Sequence, residues 1–204
     1  MRGILKQREN MEVIRNEWDQ VMNAHKFKAS VFYKLLIDDG TRVLWRKLIK
    51  SNRGRSRAVF CLWKACHGML ATKDRLKRFG MIEDSSCNLC HSEEEMMNHL
   101  FFCCQETSNI WKEVLKWFNI YHEPQPWDAE LVWITNITKE KGWKVDVLKM
   151  LVAETIYNIW GYRNSKNFGN IVDNTTMDTK IIDNVIYRRW KNIKIRKHIV
   201  SFMI

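Results

Sequence analysis

Four of the chain's six cysteines fall within residues 87–104, which read CNLCHSEEEMMNHLFFCC, and no other segment restricts the fold as strongly. Cys87, Cys90, His99 and Cys104 form C-x2-C-x8-H-x4-C. A two-residue gap between thiols lets a tight knuckle aim both at one point, and a second pair can come from the start of the following helix, which is what a tetrahedral Zn²⁺ requires. Four protein ligands close the shell and leave no position for water, so such a site is structural rather than hydrolytic. Binding of this kind contributes on the order of 10 kcal/mol to folding, enough to organise a loop with little core of its own. The fourth ligand is open between Cys104 and its neighbour Cys103, because adjacent residues point in different directions. His91 adjoins Cys90 and adds a further choice. A thioredoxin-like redox pair at Cys87 and Cys90 needs a βαβ setting, which the sequence lacks. The start, MRGILKQREN, has no apolar h-region, so a secreted disulfide framework is not expected and the chain reads as nuclear or cytoplasmic. Cys61 and Cys66 sit in a helical pattern and read as packing residues, and His67 reads as a packed or surface histidine rather than a ligand. His25, His122 and His198 have no partner in spacing.

The charge is as uneven as the cysteines. Of 204 residues, 34 are Lys or Arg and 23 Asp or Glu, a formal net charge of +11. Residues 42–78 hold 12 basic groups and one acid, Asp74, while 79–113 reverse the sign with 7 acids against Lys112. Residues 188–204 add 6 basic groups and no acid. Such uncompensated runs suit phosphate, because bound Lys and Arg release counterions from a nucleic acid. The candidate contacts are Arg42, Arg46, Lys47, Lys50, Arg53, Arg55, Arg57, Lys73, Arg75, Lys77 and Arg78, with Arg188, Arg189, Lys191, Lys194, Arg196 and Lys197 at the C-terminus. Trp45, Phe60 and Trp63 are interleaved with them, and aromatics in such a block can stack on bases; their helical spacing favours the other reading, that they point into the core. Glu93, Glu94 and Glu95 make the knuckle acidic, so it reads as a brace and the flanking basic segments as the contacting faces.

Two prolines, eight glycines and 3.6-residue spacing predict a mostly α protein, with a small irregular zinc knuckle embedded between helices and a helical C-terminal region. Helices are expected over 8–24 and 29–37, with a turn at Asp38, Asp39 and Gly40, and from Thr41 through Lys50. Val59, Trp63, Cys66 and Leu70 predict the buried stripe of the next helix. Thr72 is the expected N-cap of Lys73 to Phe79, which Gly80 ends. Further helices are read around Ile110 to Phe118, Leu148 to Trp160 and Ile181 to Ile193. Both prolines lie in 119–127, NIYHEPQPW, the best linker candidate. The expected division is therefore 1–41, an entry segment; 42–120, basic helices plus knuckle; and 121–204, C-terminal helices. No stretch approaches the ~18 apolar residues of a membrane span.

Around the cysteines the text resembles the reverse transcriptase zinc-binding domain of plant LINE-type (non-LTR) retroelement proteins. The resemblance lies in WRKL from Trp45, FCLWKACHGMLATKDRLKRFGM from Phe60, CNLC, HLFF from His99, Cys104 and Ile110-Trp111, with a weaker likeness in FKASVFYKLL and in IWGYRNSKNF from Ile159. It implies Cys87, Cys90, His99 and Cys104 as zinc ligands. Ala71 stands where that family often has Pro, and Cys103 where it usually has no thiol. Met96 and Asn98 replace residues commonly polar or acidic, so no carboxylate behind His99 is expected from them. There is no Tyr-x-Asp-Asp, and no carboxylate set of a ribonuclease H. The implied role is a non-catalytic module that binds RNA or DNA, with a reverse transcriptase polymerase domain as a further partner. A zinc-stabilised protein-interaction scaffold without nucleic-acid contact is the alternative.

Overall fold

The computed structural model describes residues 43–169 and 176–190, with side chains as far as Ile186 in the last segment. The helices expected over 8–24 and 29–37, the Asp38–Gly40 turn, Arg42 and the basic residues Lys191, Lys194, Arg196 and Lys197 lie outside them. Eight helices are described: α1 Arg46–Lys50, α2 Ser56–Cys66, α3 Lys73–Arg78, α4 Met97–Leu100, α5 Gln105–Trp117, α6 Trp127–Ile137, α7 Trp143–Asn167 and α8 Met177–Trp190. They belong to one compact unit, Leu44–Ile204. No strand occurs among the described residues; one isolated antiparallel bridge joins Ser86 to Glu94. The mostly α reading with a knuckle among helices is borne out.

The 25-residue α7 is the axis. Val147, Leu148, Met150, Leu151, Val152, Ala153, Ile156 and Ile159 are all buried, so the helix is apolar around most of its circumference. A helix of that kind must be covered on several sides. Helices α2, α5 and α8 all pack against it, α8 also lies on α5, and α1 rests on α2. Helices on both sides of 119–127 therefore share one core.

Helix α2 buries a different face from the one expected. Ala58, Cys61, Leu62 and Ala65 are buried, whereas Val59, Trp63 and Cys66 are half-buried and Phe60 is 57% exposed. The helix carries apolar residues on two faces, and the small side chains at 58, 61 and 65 let its backbone approach α7 closely. The expectation that Trp45, Phe60 and Trp63 point into the core is thus corrected for Phe60, and holds in part for the two tryptophans.

Local signals were more faithful. Gly80, at φ +68°, takes the left-handed position after α3; its N–H bonds Lys77 O at 2.9 Å and Met81 N–H bonds Leu76 O at 3.0 Å. That paired closure is why glycine stands there. Thr72 occupies the N-cap in extended conformation, but its hydroxyl donates to the Asp74 carboxylate rather than to a backbone N–H. The Thr41–Lys50 helix is shorter than expected and begins at Arg46. Helix α6 was not anticipated: it starts directly after Pro126, whose fixed φ of −51° leads into the first turn. Its buried Glu130 accepts from Trp111 Nε1 (2.7 Å) and Gln125 N (2.9 Å) and lies 2.9 Å from His122 Nε2, which ties the proline segment down. His122 also stacks on Trp133 at 3.6 Å, so it is well partnered although its sequence spacing suggested nothing.

Candidate metal centre

The knuckle is built by short-range backbone bonds. Cys87 N–H donates to Glu93 O (2.7 Å) and His91 N–H to Cys87 O (2.9 Å), folding CNLC into a turn in which His91 adopts φ 55°. The second half is set by the core. Leu100, Phe101 and Phe102 are buried, and the two phenylalanine rings pack against Trp127 at 5.4 and 5.7 Å. This fixes His99 just ahead of them. Cys104 N–H then bonds His99 O at 2.7 Å, and Cys104 serves as the N-cap of α5. A helix N-terminus favours negative charge, so the position suits a thiolate once a metal has displaced the Cys104 proton.

The Sγ atoms of Cys87, Cys90 and Cys104 and a ring nitrogen of His99 all lie within 4.8 Å of one another. Cys90 Sγ is 3.2 Å from His99 Nε2. A tetrahedral zinc with sulfur ligands at ~2.3 Å has edges of about 3.8 Å, so the set needs only small movements to close on the ion. Cys87, His99 and Cys104 are buried; Cys103 and His91 are exposed and stand outside the cluster. All six cysteines are free thiols.

Electrostatics within the cluster match a ligand set. The Cys104 thiol donates to Cys87, and His99 stands beside it, which brings the Cys87 thiol down to about 3 despite burial. The same contact with Cys87, reinforced by Cys90, raises His99 to about 9. Cys104, as the donor to Cys87 and itself buried, is raised. A thiolate at Cys87 in contact with a protonated thiol and a protonated imidazole is an arrangement whose protons a dication displaces. By contrast, burial lifts Cys61 to about 11 and Cys66 to about 12, as expected of inert packing thiols.

Three residues around the site escaped the sequence. Glu93 Oε2 lies 3.0 Å from His99 Nδ1, off the ring N–H axis, so that Nδ1 makes no linear hydrogen bond. This supplies the carboxylate behind His99 that Met96 and Asn98 do not. Glu95 is fully buried: Oε1 accepts from Lys73 N–H at 3.0 Å and from Arg163 Nε and Nη2 at 2.9 and 2.5 Å. Arg163, 4% exposed, also donates to Ala71 O at 3.2 Å and lies over Trp160. An Arg amid the buried positions of α7 was the available signal, because buried charges are almost always paired.

Among the described residues, the basic candidates divide in two. Arg55 makes a forked pair with the buried Glu154, Lys73 Nζ donates to Ser86 O at 2.8 Å and to Asn88, Arg75 donates to Gly68 O and Leu70 O, and Arg78 pairs with Asp74 at 2.9 Å. Arg53 is 3.9 Å from Asp146, and Lys77 reaches Ser85 Oγ at 3.2 Å. Arg46, Lys47, Lys50 and Arg57 are exposed and have no ion-pair partner among the described residues. Arg188 and Arg189 fall in the last turn of α8, their side chains outside the described set.

Residues 27–111 match the model of a family described as zinc-binding in reverse transcriptase. The match contains all four clustered donors and supports a zinc-binding module. Helices α6, α7 and α8, including Arg163, lie beyond it. No curated protein and no solved structure matches the chain. No described helix is long and apolar enough to cross a membrane.

Proposed function

We propose that this chain is a non-catalytic module of a plant LINE-type, reverse-transcriptase-like protein, in which a structural zinc holds the knuckle and the neighbouring basic helices bind RNA or DNA. The observation that carries the reading is the closed Cys3His set within residues that match a zinc-binding family of reverse transcriptases. Cys87, Cys90, His99 and Cys104 would hold the ion, which would supply folding energy and no reactive water.

The cations that serve this reading best are Arg46, Lys47, Lys50 and Arg57, because Arg55, Lys73, Arg75 and Arg78 already satisfy carboxylates or carbonyls of the fold. Glu95 turns inward to Arg163, which takes one charge off the acidic knuckle surface. Helix α7 anchors the knuckle through Arg163, and a polymerase domain of the same parent protein is the natural further partner.

Binding of RNA and DNA oligonucleotides across a salt series tests the proposal. Neutralising Arg46, Lys47, Lys50 and Arg57 together should weaken binding and flatten the slope of log K against log salt by up to about 3–4. Salt-insensitive association with a protein and no affinity for nucleic acid would favour an interaction scaffold instead.

A further inference from the structure

The two-faced character of α2 leaves an aromatic surface unused by the core. With 100° per residue, the buried positions 58, 61, 62 and 65 centre on one side of the helix, and 60, 63 and 67 centre almost opposite. Phe60 and Trp63 stack there, ring centres 5.6 Å apart and planes within 12°. Trp63 continues to His67 at 4.5 Å, and His67 meets Trp45 edge-on at 4.8 Å. The result is a ladder of four rings, open at Phe60, which is 57% exposed. Phe60 and Trp63 also line an open groove together with Ile49, Asn52, Gly54 and Val59.

Several apolar side chains of this protein are exposed singly; Phe60 differs in being the open end of a contiguous aromatic patch, and contiguous patches mark binding surfaces. Its surroundings indicate which partner. Lys64 Nζ sits 5.5 Å from the Phe60 ring centre, Arg57 is one turn earlier, and no acid occurs between residues 42 and 73. Flat rings flanked by cations that make no ion pair among the described residues suit bases joined by phosphates. A duplex keeps its bases stacked inside and offers no π-face to such a ladder, whereas a single strand does.

We propose that the Phe60–Trp63 ladder is a stacking platform for unpaired bases, so that this face takes single-stranded nucleic acid with the backbone running along Arg57 and Lys64. The inference rests on the nucleic-acid reading above and sharpens it.

The test uses the full zinc-loaded chain with oligo(U), oligo(dT) and a duplex of equal length. Both single strands should bind more tightly than the duplex, and their ratio reports whether RNA or DNA is preferred. Phe60→Ala, at an exposed position, should keep the fold and lose at least about fivefold in single-strand affinity with an unchanged salt slope; Phe60→Tyr should retain it. If Phe60→Ala binds both single strands as tightly as the parent chain while charge neutralisation still weakens binding, the platform is wrong and the basic-face reading stands. If the parent chain binds no nucleic acid at any salt, that reading falls and the platform with it. Loss of concentration-dependent self-association in Phe60→Ala, with oligonucleotide binding intact, would assign the face to a second copy and also overturn the proposal.

Discussion

Arg163 donates through both Nε and Nη2 to a single carboxylate oxygen of Glu95, 68 residues away in sequence, with both side chains shut off from solvent. The pair fastens the knuckle to the long axial helix. Removing one partner of a buried ion pair leaves the other uncompensated, so Arg163→Ala should cost about 3–5 kcal/mol in denaturant unfolding of the zinc-loaded chain. Arg163→Lys keeps the charge but loses the fork, and should recover only part of this. A cost below about 1 kcal/mol for Arg163→Ala would show that the knuckle holds without its anchor.

Glu93 stands behind His99, at 3.0 Å from Nδ1. Although it makes no linear hydrogen bond there, its negative charge favours the tautomer with the proton on Nδ1 and so leaves Nε2 free for a metal. Glu93→Gln should therefore weaken zinc affinity by about 10-fold, at the low end for such partners because Glu93 is largely exposed, and leave stoichiometry unchanged. Chelator competition measures it. An affinity equal to that of the parent would reduce Glu93 to a bystander.

Zinc uptake must displace protons, and the direction follows from the site. With His99 raised to about 9 and Cys104 held as a thiol, the metal-free cluster carries both protons at pH 7, whereas Cys87, at about 3, is already a thiolate. Protons then compete with zinc, so affinity falls as pH falls. Displacing at least these two protons gives about 100-fold or more per pH unit between pH 6 and 8. Titration calorimetry in buffers of different ionisation enthalpy counts the protons directly. Release of none would contradict this account of the cluster.

What the sequence disclosed was what short-range physics decides. The C-x2-C turn, the Gly80 terminator and the middles of the helices Gln105–Trp117 and Trp143–Asn167, read around Ile110 to Phe118 and Leu148 to Trp160, are written in neighbouring residues and were legible. The buried face of α2 was not, because a helix with apolar residues on two sides does not reveal which side α7 covers. Glu93, Glu94 and Glu95 read as one acidic run, yet they diverge: Glu95 goes inward to an arginine far along the chain, Glu93 turns to His99, and Glu94 stays exposed. Such partners are chosen by tertiary packing. The choice between Cys103 and Cys104 needed coordinates for the same reason: one of two adjacent thiols faces solvent and the other faces the cluster.

The measurement that bears most directly on the zinc-braced knuckle is metal content, together with cooperative unfolding, of the purified chain and of Cys87→Ser, Cys103→Ser and Cys104→Ser. A zinc-braced knuckle should give about one zinc per chain in the parent and in Cys103→Ser, and loss of both the metal and the cooperative transition in Cys87→Ser and Cys104→Ser. A chain that folds cooperatively without metal, or a Cys104→Ser variant that keeps its full zinc, would contradict it.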